Sequence, residues 1–129
     1  MRKNTKEIYY AFDGKLIGSR KMKQYVCGVL TLMAGNIINY ITSSCWFFGS
    51  MDDALAFTFT GSDLKDNHLI FLSDELFMYD ERQIRYTIAH EIGHVMLGHR
   101  NSILEKQSKM EIYNQEREAD ESAKKYIKD

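Results

Sequence analysis

His90-Glu91-Ile92-Gly93-His94 is the stretch on which the reading of this chain turns. Residues four apart stand on one face of a helix, so His90 and His94 can turn both imidazoles toward a single ion, and two ring nitrogens suit zinc. Glu91 lies about 100° around the helix from His90, off the ligand direction but within reach of a water activated beside the ion. That is where a general base belongs. Three fixed residue types in five positions also arise by chance on a surface helix. Gly93 argues against chance, because a glycine inside a helix costs about 1 kcal/mol relative to alanine and is best explained by another backbone packing close beside it. The neighbour expected is the last helix of the chain.

Working outward, Asp80 with Gln83 three residues later makes a helix start and Gly98 a helix stop, which predicts a helix from about Glu81 to Leu97. A last helix from about Lys109 to the end carries Tyr113, Glu116, Ala119, Asp120, Ala123 and Ile127 along one side. A catalytic zinc takes three protein ligands and leaves the fourth position to water. Glu116, which interrupts the apolar stripe, is the predicted third ligand. Asp120 follows one turn later and is expected to accept a hydrogen bond from the free ring nitrogen of a ligand histidine, fixing its tautomer. If the stripe is misphased, both acids are merely exposed. Ala119 and Ala123 let the two helices approach, while Glu118 and Glu121 are expected to face solvent beside Lys124 and Lys125. The position six after His94, where the long zincin motif has its third histidine, is Arg100, so His99 is read as a helix-terminal or packing histidine. His68, at a strand start, is read as solvated or satisfied.

Upstream, Met22, Val26, Val29, Leu30, Met33, Ile37 and Ile41 recur every three or four positions, predicting a helix from about Ser19 to Thr42 that Gly35 kinks or splits. Between Cys45 and Leu72 the texture changes to short apolar runs, Cys45 to Phe48, Leu55 to Thr60 and His68 to Leu72, which read as strands. Alternation puts Leu55, Phe57 and Phe59 on one face, as a half-buried strand requires, and the turn after Gly61 suggests an antiparallel hairpin. The predicted fold class is α+β: an N-terminal helix, a small mostly antiparallel sheet, the helix of His90 to His94 and a C-terminal glutamate-bearing helix, in one domain over residues 1–129.

The 129 residues carry 17 basic and 18 acidic side chains, a net charge of −1, so no global field draws the chain to nucleic acid or anionic lipid. No helix-turn-helix is evident either, so no direct nucleic-acid partner is expected. Val26 to Ile41, the most apolar stretch, is interrupted by Thr31, Asn36 and Asn39 and is shorter than the ~20 residues a membrane span needs, so no membrane partner is expected. The polar N-terminus, Met1 to Lys15, lacks a secretory signal, which predicts a cytoplasmic protein. Cys27 and Cys45 sit among apolar neighbours without metal-type spacing and read as small buried hydrophobes.

Together, His90 to His94 continued by Val95-Met96-Leu97-Gly98-His99, and Glu116-Arg117-Glu118-Ala119-Asp120-Glu121-Ser122-Ala123, resemble the ImmA/IrrE family of zincin-like metallopeptidases. The resemblance covers roughly Asn67 through Tyr126. It implies a zincin-like fold, with the first glutamate of a Glu-x-x-Ala-Asn/Asp-x-x-Ala helix as third ligand, which is Glu116 here. It also implies action on a helix-turn-helix repressor of a mobile element. The chain departs from that pattern at Ser122, where an aromatic is usual, and in ending Lys125-Tyr126-Ile127-Lys128-Asp129. The function expected is hydrolysis of a peptide bond in a protein or peptide substrate by zinc-activated water, with Glu91 as general base. The alternative is a zinc-containing binding module that sequesters a regulator without cutting it.

Overall fold

The computed structural model describes residues 4–51, 55–60, 64–99 and 107–128. The chain opens with helix α1 (Thr5–Ala11), whose Asn4 cap and Glu7 form a reciprocal capping box. A two-residue strand β1 (Leu16–Ile17) precedes helix α2 (Arg20–Leu30), capped by Ser19, and helix α3 (Gly35–Ser44). Strands β2 (Cys45–Ser50), β3 (Ala56–Thr60) and β4 (His68–Ser73) follow, then a short 3-10 turn (Asp74–Met78), helix α4 (Glu81–Met96) and helix α5 (Lys109–Tyr126). The class is α+β.

The long N-terminal helix expected from periodicity is two helices, α2 and α3. Gly35 opens the second of them, so the break falls just before it. Both deliver apolar faces to one core, with Met22, Val26, Val29, Leu30, Ile38 and Ile41 essentially inaccessible. That core continues through Phe12, Phe47, Ile70, Leu72, Ile84, Ile88 and Ile92. Among the described residues no helix is long and apolar enough to cross a membrane. Cys27 and Cys45 are free and buried, and burial raises the Cys27 thiol to about 11.

The sheet runs β1-β2-β4-β3. Among the described residues only β3 and β4 pair antiparallel, with Phe57 opposite Phe71 and Thr58 opposite Ile70. β1–β2 and β2–β4 are parallel, so the expectation of a mostly antiparallel sheet is corrected. The physical reason is the crossover: α2 and α3 join β1 to β2, and a helical connection returns a strand in the same direction. The expected hairpin is present, although its Gly61 turn lies outside the described residues.

In β3, Phe57 and Phe59 share one face as the alternation predicts, and the face that carries a buried residue is the other one. Phe57 and Phe59 lie on the outer face, where Phe57 stacks on Phe71 at 4.8 Å and Phe71 on Phe48 at 5.3 Å. Thr58 is the buried residue of the strand, on the side of α4. Because β3 ends the sheet beside α4, it forms one wall of the cleft described next.

Candidate metal centre

α4 starts where its cap predicts: the Asp80 carboxylate accepts from the Gln83 amide at 2.8 Å. It ends in a Schellman motif, with Gly98 N–H bonding the Val95 carbonyl and His99 N–H the His94 carbonyl at 3.0 Å. Gly98 makes this possible by adopting φ +71°, a conformation that side-chain-bearing residues avoid. α5 starts at Ser108 in a capping box with Glu111. The two helices pack along their length, burying Ala119 and Ala123 completely. A Cβ at Gly93 would stand 3.2 Å from Ser122 Cβ and 3.4 Å from the Ala119 carbonyl oxygen. The glycine is therefore there for the close approach of the last helix, and Ser122, where an aromatic is usual in the resembled motif, is the residue it approaches.

This packing brings His90, His94 and Glu116 together, each offering one ligand atom within 4.8 Å of the others. His90 Nε2 lies 2.7 Å from Glu116 Oε2 and His94 Nε2 3.2 Å from Glu116 Oε1. Donors about 2.1 Å from one ion stand roughly 3.4 Å apart in a tetrahedron, so the cluster has the scale of a coordination shell. Two imidazoles and a carboxylate suit zinc in chemistry as well. The cluster can hold a metal ion.

Its surroundings set the charge state of each group. Burial disfavours a charge on His90, but the Glu116 hydrogen bond and the Glu91, Glu116 and Asp120 carboxylates outweigh burial and raise its pKa. Hydrogen bonds from His90 and His94 hold the Glu116 carboxyl well below the usual carboxylate range. Glu91 is 5% exposed, and its desolvation raises its pKa. Its Oε2 lies 3.9 Å from His90 Nε2, while its Oε1 accepts from the Thr58 hydroxyl at 2.7 Å. The cleft over these groups holds about 300 Å³ and is lined on one side by β3 and on the other by α4 and α5.

Asp120 stands where the sequence spacing predicts, with Oδ1 2.8 Å from His90 Nδ1. The same oxygen accepts from the Tyr86 hydroxyl at 2.9 Å, and burial followed by this bond raises that phenol to about 12. Tyr86 is thus committed to Asp120. Tyr113, expected on the inward stripe of α5, is 64% exposed. His68 is buried and satisfied, between the Tyr40 and Thr60 hydroxyls at 2.8 Å each.

Two groups were not legible in advance. Thr58 lies on the face opposite the phenylalanines, where nothing in the alternation announces the Glu91 carboxylate. His99 follows the end of the helix and packs against it as expected, but both of its ring nitrogens are engaged, with Nδ1 3.0 Å from His94 Nδ1 and Nε2 2.8 Å from Glu118 Oε1. Glu118, expected to face solvent, is half exposed and turned to His99. The available signal was Gly98 followed by His99, since a Schellman turn carries the residue after the glycine back over the last turn of the helix.

The family model described as Peptidase U49 matches residues 65–129, just over half of the chain and the half that holds this cluster, and the chain belongs to that family. No curated protein and no solved structure matches the chain.

The Thr58 hydroxyl is the hydrogen-bond donor on the buried Glu91 carboxylate. Thr58→Val keeps the shape and removes that donor, so it is expected to cost about 1–3 kcal/mol of stability. A melting curve checks this, and a stability unchanged within a few tenths of a kcal/mol would show that the bond carries no such weight.

Proposed function

We propose that the chain is a zinc-dependent metallopeptidase of the zincin type, in which His90, His94 and Glu116 hold the ion and Glu91 is the general base. The observation that carries this reading is the convergence of two imidazoles and a carboxylate in the lining of a cleft, with a buried glutamate turned toward the same point. Bound there, zinc would acidify a water and polarise a carbonyl oxygen.

The protein's own groups do the rest. Thr58 holds Glu91 Oε1 and leaves Oε2 to take the proton of the attacking water. Burial makes that carboxylate a stronger base than an exposed one. As the C–N bond breaks, Glu91 returns the proton to the amine nitrogen. Asp120 holds the His90 ring through Nδ1 and leaves Nε2 for the ion. An extended peptide can align by main-chain hydrogen bonds on β3, which among the described residues is bonded to β4 alone. β4 is interior to the sheet and offers no such edge. Resemblance to the ImmA/IrrE motifs makes a helix-turn-helix repressor the protein substrate to present first.

Protons compete with the metal for these ligands. His90's pKa is raised above its ordinary value of 6.5, so it must shed a proton that a free imidazole would already have lost at the same pH. Zinc affinity is therefore expected to fall as pH drops through that raised value. Glu116, held ionised, adds no dependence near neutrality. Zinc titrations from mildly alkaline to mildly acidic pH check the sign, and a pH-independent affinity would contradict it.

To test the reading, zinc-loaded wild type and Glu91→Gln are incubated with a mixed peptide library and with such a repressor, and fragments are identified by mass spectrometry. Wild type is expected to yield fragments that disappear with a chelator and return with zinc. No fragments from a zinc-loaded wild type would leave the sequestering module as the better account.

A further inference from the structure

We propose that His99 and Glu118 are positioning residues that hold the His94 ring for the metal, forming a second ligand-orienting arm beside the one that runs from His90 to Asp120. This rests on the zinc reading above. If His94 gives Nε2 to the ion, its Nδ1 carries the proton, and the atom 3.0 Å away is His99 Nδ1, which must then accept. A neutral His99 accepting at Nδ1 carries its own proton on Nε2, and that nitrogen stands 2.8 Å from Glu118 Oε1, an acceptor. Donors and acceptors therefore match along the whole path from His94 through His99 to Glu118, with one tautomer at each ring.

The local backbone is built for it. The Schellman turn at Gly98 bonds His99 N–H to the His94 carbonyl, so the two residues are tied through backbone as well as ring. The rings meet edge to face at 5.2 Å. His99 is 8% exposed, and an imidazole so buried is neither solvated nor idle. α5 then plays three parts at one centre: Glu116 toward the ion, Asp120 behind His90 and Glu118 behind His94 through an intermediate ring. Outer partners of this kind fix ring orientation and raise ligand basicity.

Zinc affinity is the readout, measured by competition with a chromophoric chelator on the full chain. Glu118 is half exposed in mid-helix, and alanine is the best helix former, so Glu118→Ala is expected to fold normally. It is expected to bind zinc about tenfold more weakly, with His99→Phe losing between about tenfold and a hundredfold. Glu118→Gln, which keeps an acceptor for the His99 N–H, is expected to recover part of the loss. In the His99→Phe background Glu118→Ala should cost nothing more, because the path to His94 is already cut. Glu121→Ala, which removes a bond to Arg117 one turn away, serves as the control and should leave affinity unchanged. Affinity within twofold of wild type for both Glu118→Ala and His99→Phe, or losses that multiply in the double variant, would overturn the arm. A wild type that takes up no zinc would instead sink the metal reading beneath it.

Discussion

Glu91→Gln is expected to take up zinc as the wild type does and to cleave its substrate at least about 100-fold more slowly, since a positioned general base contributes roughly 10²–10⁴ to such rates. The substitution is nearly isosteric, and the Thr58 hydroxyl can donate to the amide oxygen as it does to Oε1. The amide nitrogen, however, has no lone pair to offer a water proton. Stability should hold or rise, because the first cause of the raised Glu91 pKa is burial of its charge, and glutamine carries none. Rate, metal content and melting temperature measured on one preparation separate these effects. A variant that cleaves at the wild-type rate would remove Glu91 from the chemistry.

Glu116→Ala carries the second large effect. It removes a carboxylate that approaches both His90 Nε2 and His94 Nε2, so zinc affinity is expected to fall by more than the ten- to hundredfold that outer partners cost. A ligand present at about 1,000 times its dissociation constant stabilises a fold by about 4 kcal/mol. Chelation should then lower the wild-type melting temperature by on the order of 10 °C. The Glu116→Ala protein should lose most of that sensitivity to chelator. Equal sensitivity in the two proteins would show that Glu116 is no ligand.

The C-terminal half of the fold was legible because its signals are local. Asp80 and Gly98 mark the ends of α4 through bonds to residues three or four positions away. The helical repeat brings His90 and His94 to one face, and Gly93 betrays the neighbouring helix at close range. The sheet was less legible because strand pairing is set by partners far along the chain. A two-residue strand at Leu16 carries almost no periodic signal, yet it anchors the parallel half of the sheet. Alternation in Leu55 to Thr60 reveals two faces without saying which one is covered. Hydrophobicity alone favours the phenylalanines, whereas the side of the strand that meets α4 is the threonine side, where a hydroxyl is needed against a buried carboxylate. Glu118 reads as solvent-facing for the same reason: nothing near it in sequence announces a buried imidazole nineteen residues upstream.

Metal binding by His90, His94 and Glu116 underlies every function proposed for this chain. The direct measurement is the zinc-to-protein ratio of purified wild type by mass spectrometry, taken beside His94→Ala. The expected result is close to one zinc per chain in the wild type and almost none in the variant. A wild type that remains free of zinc after incubation with the metal at neutral pH, with its fold intact, would contradict it.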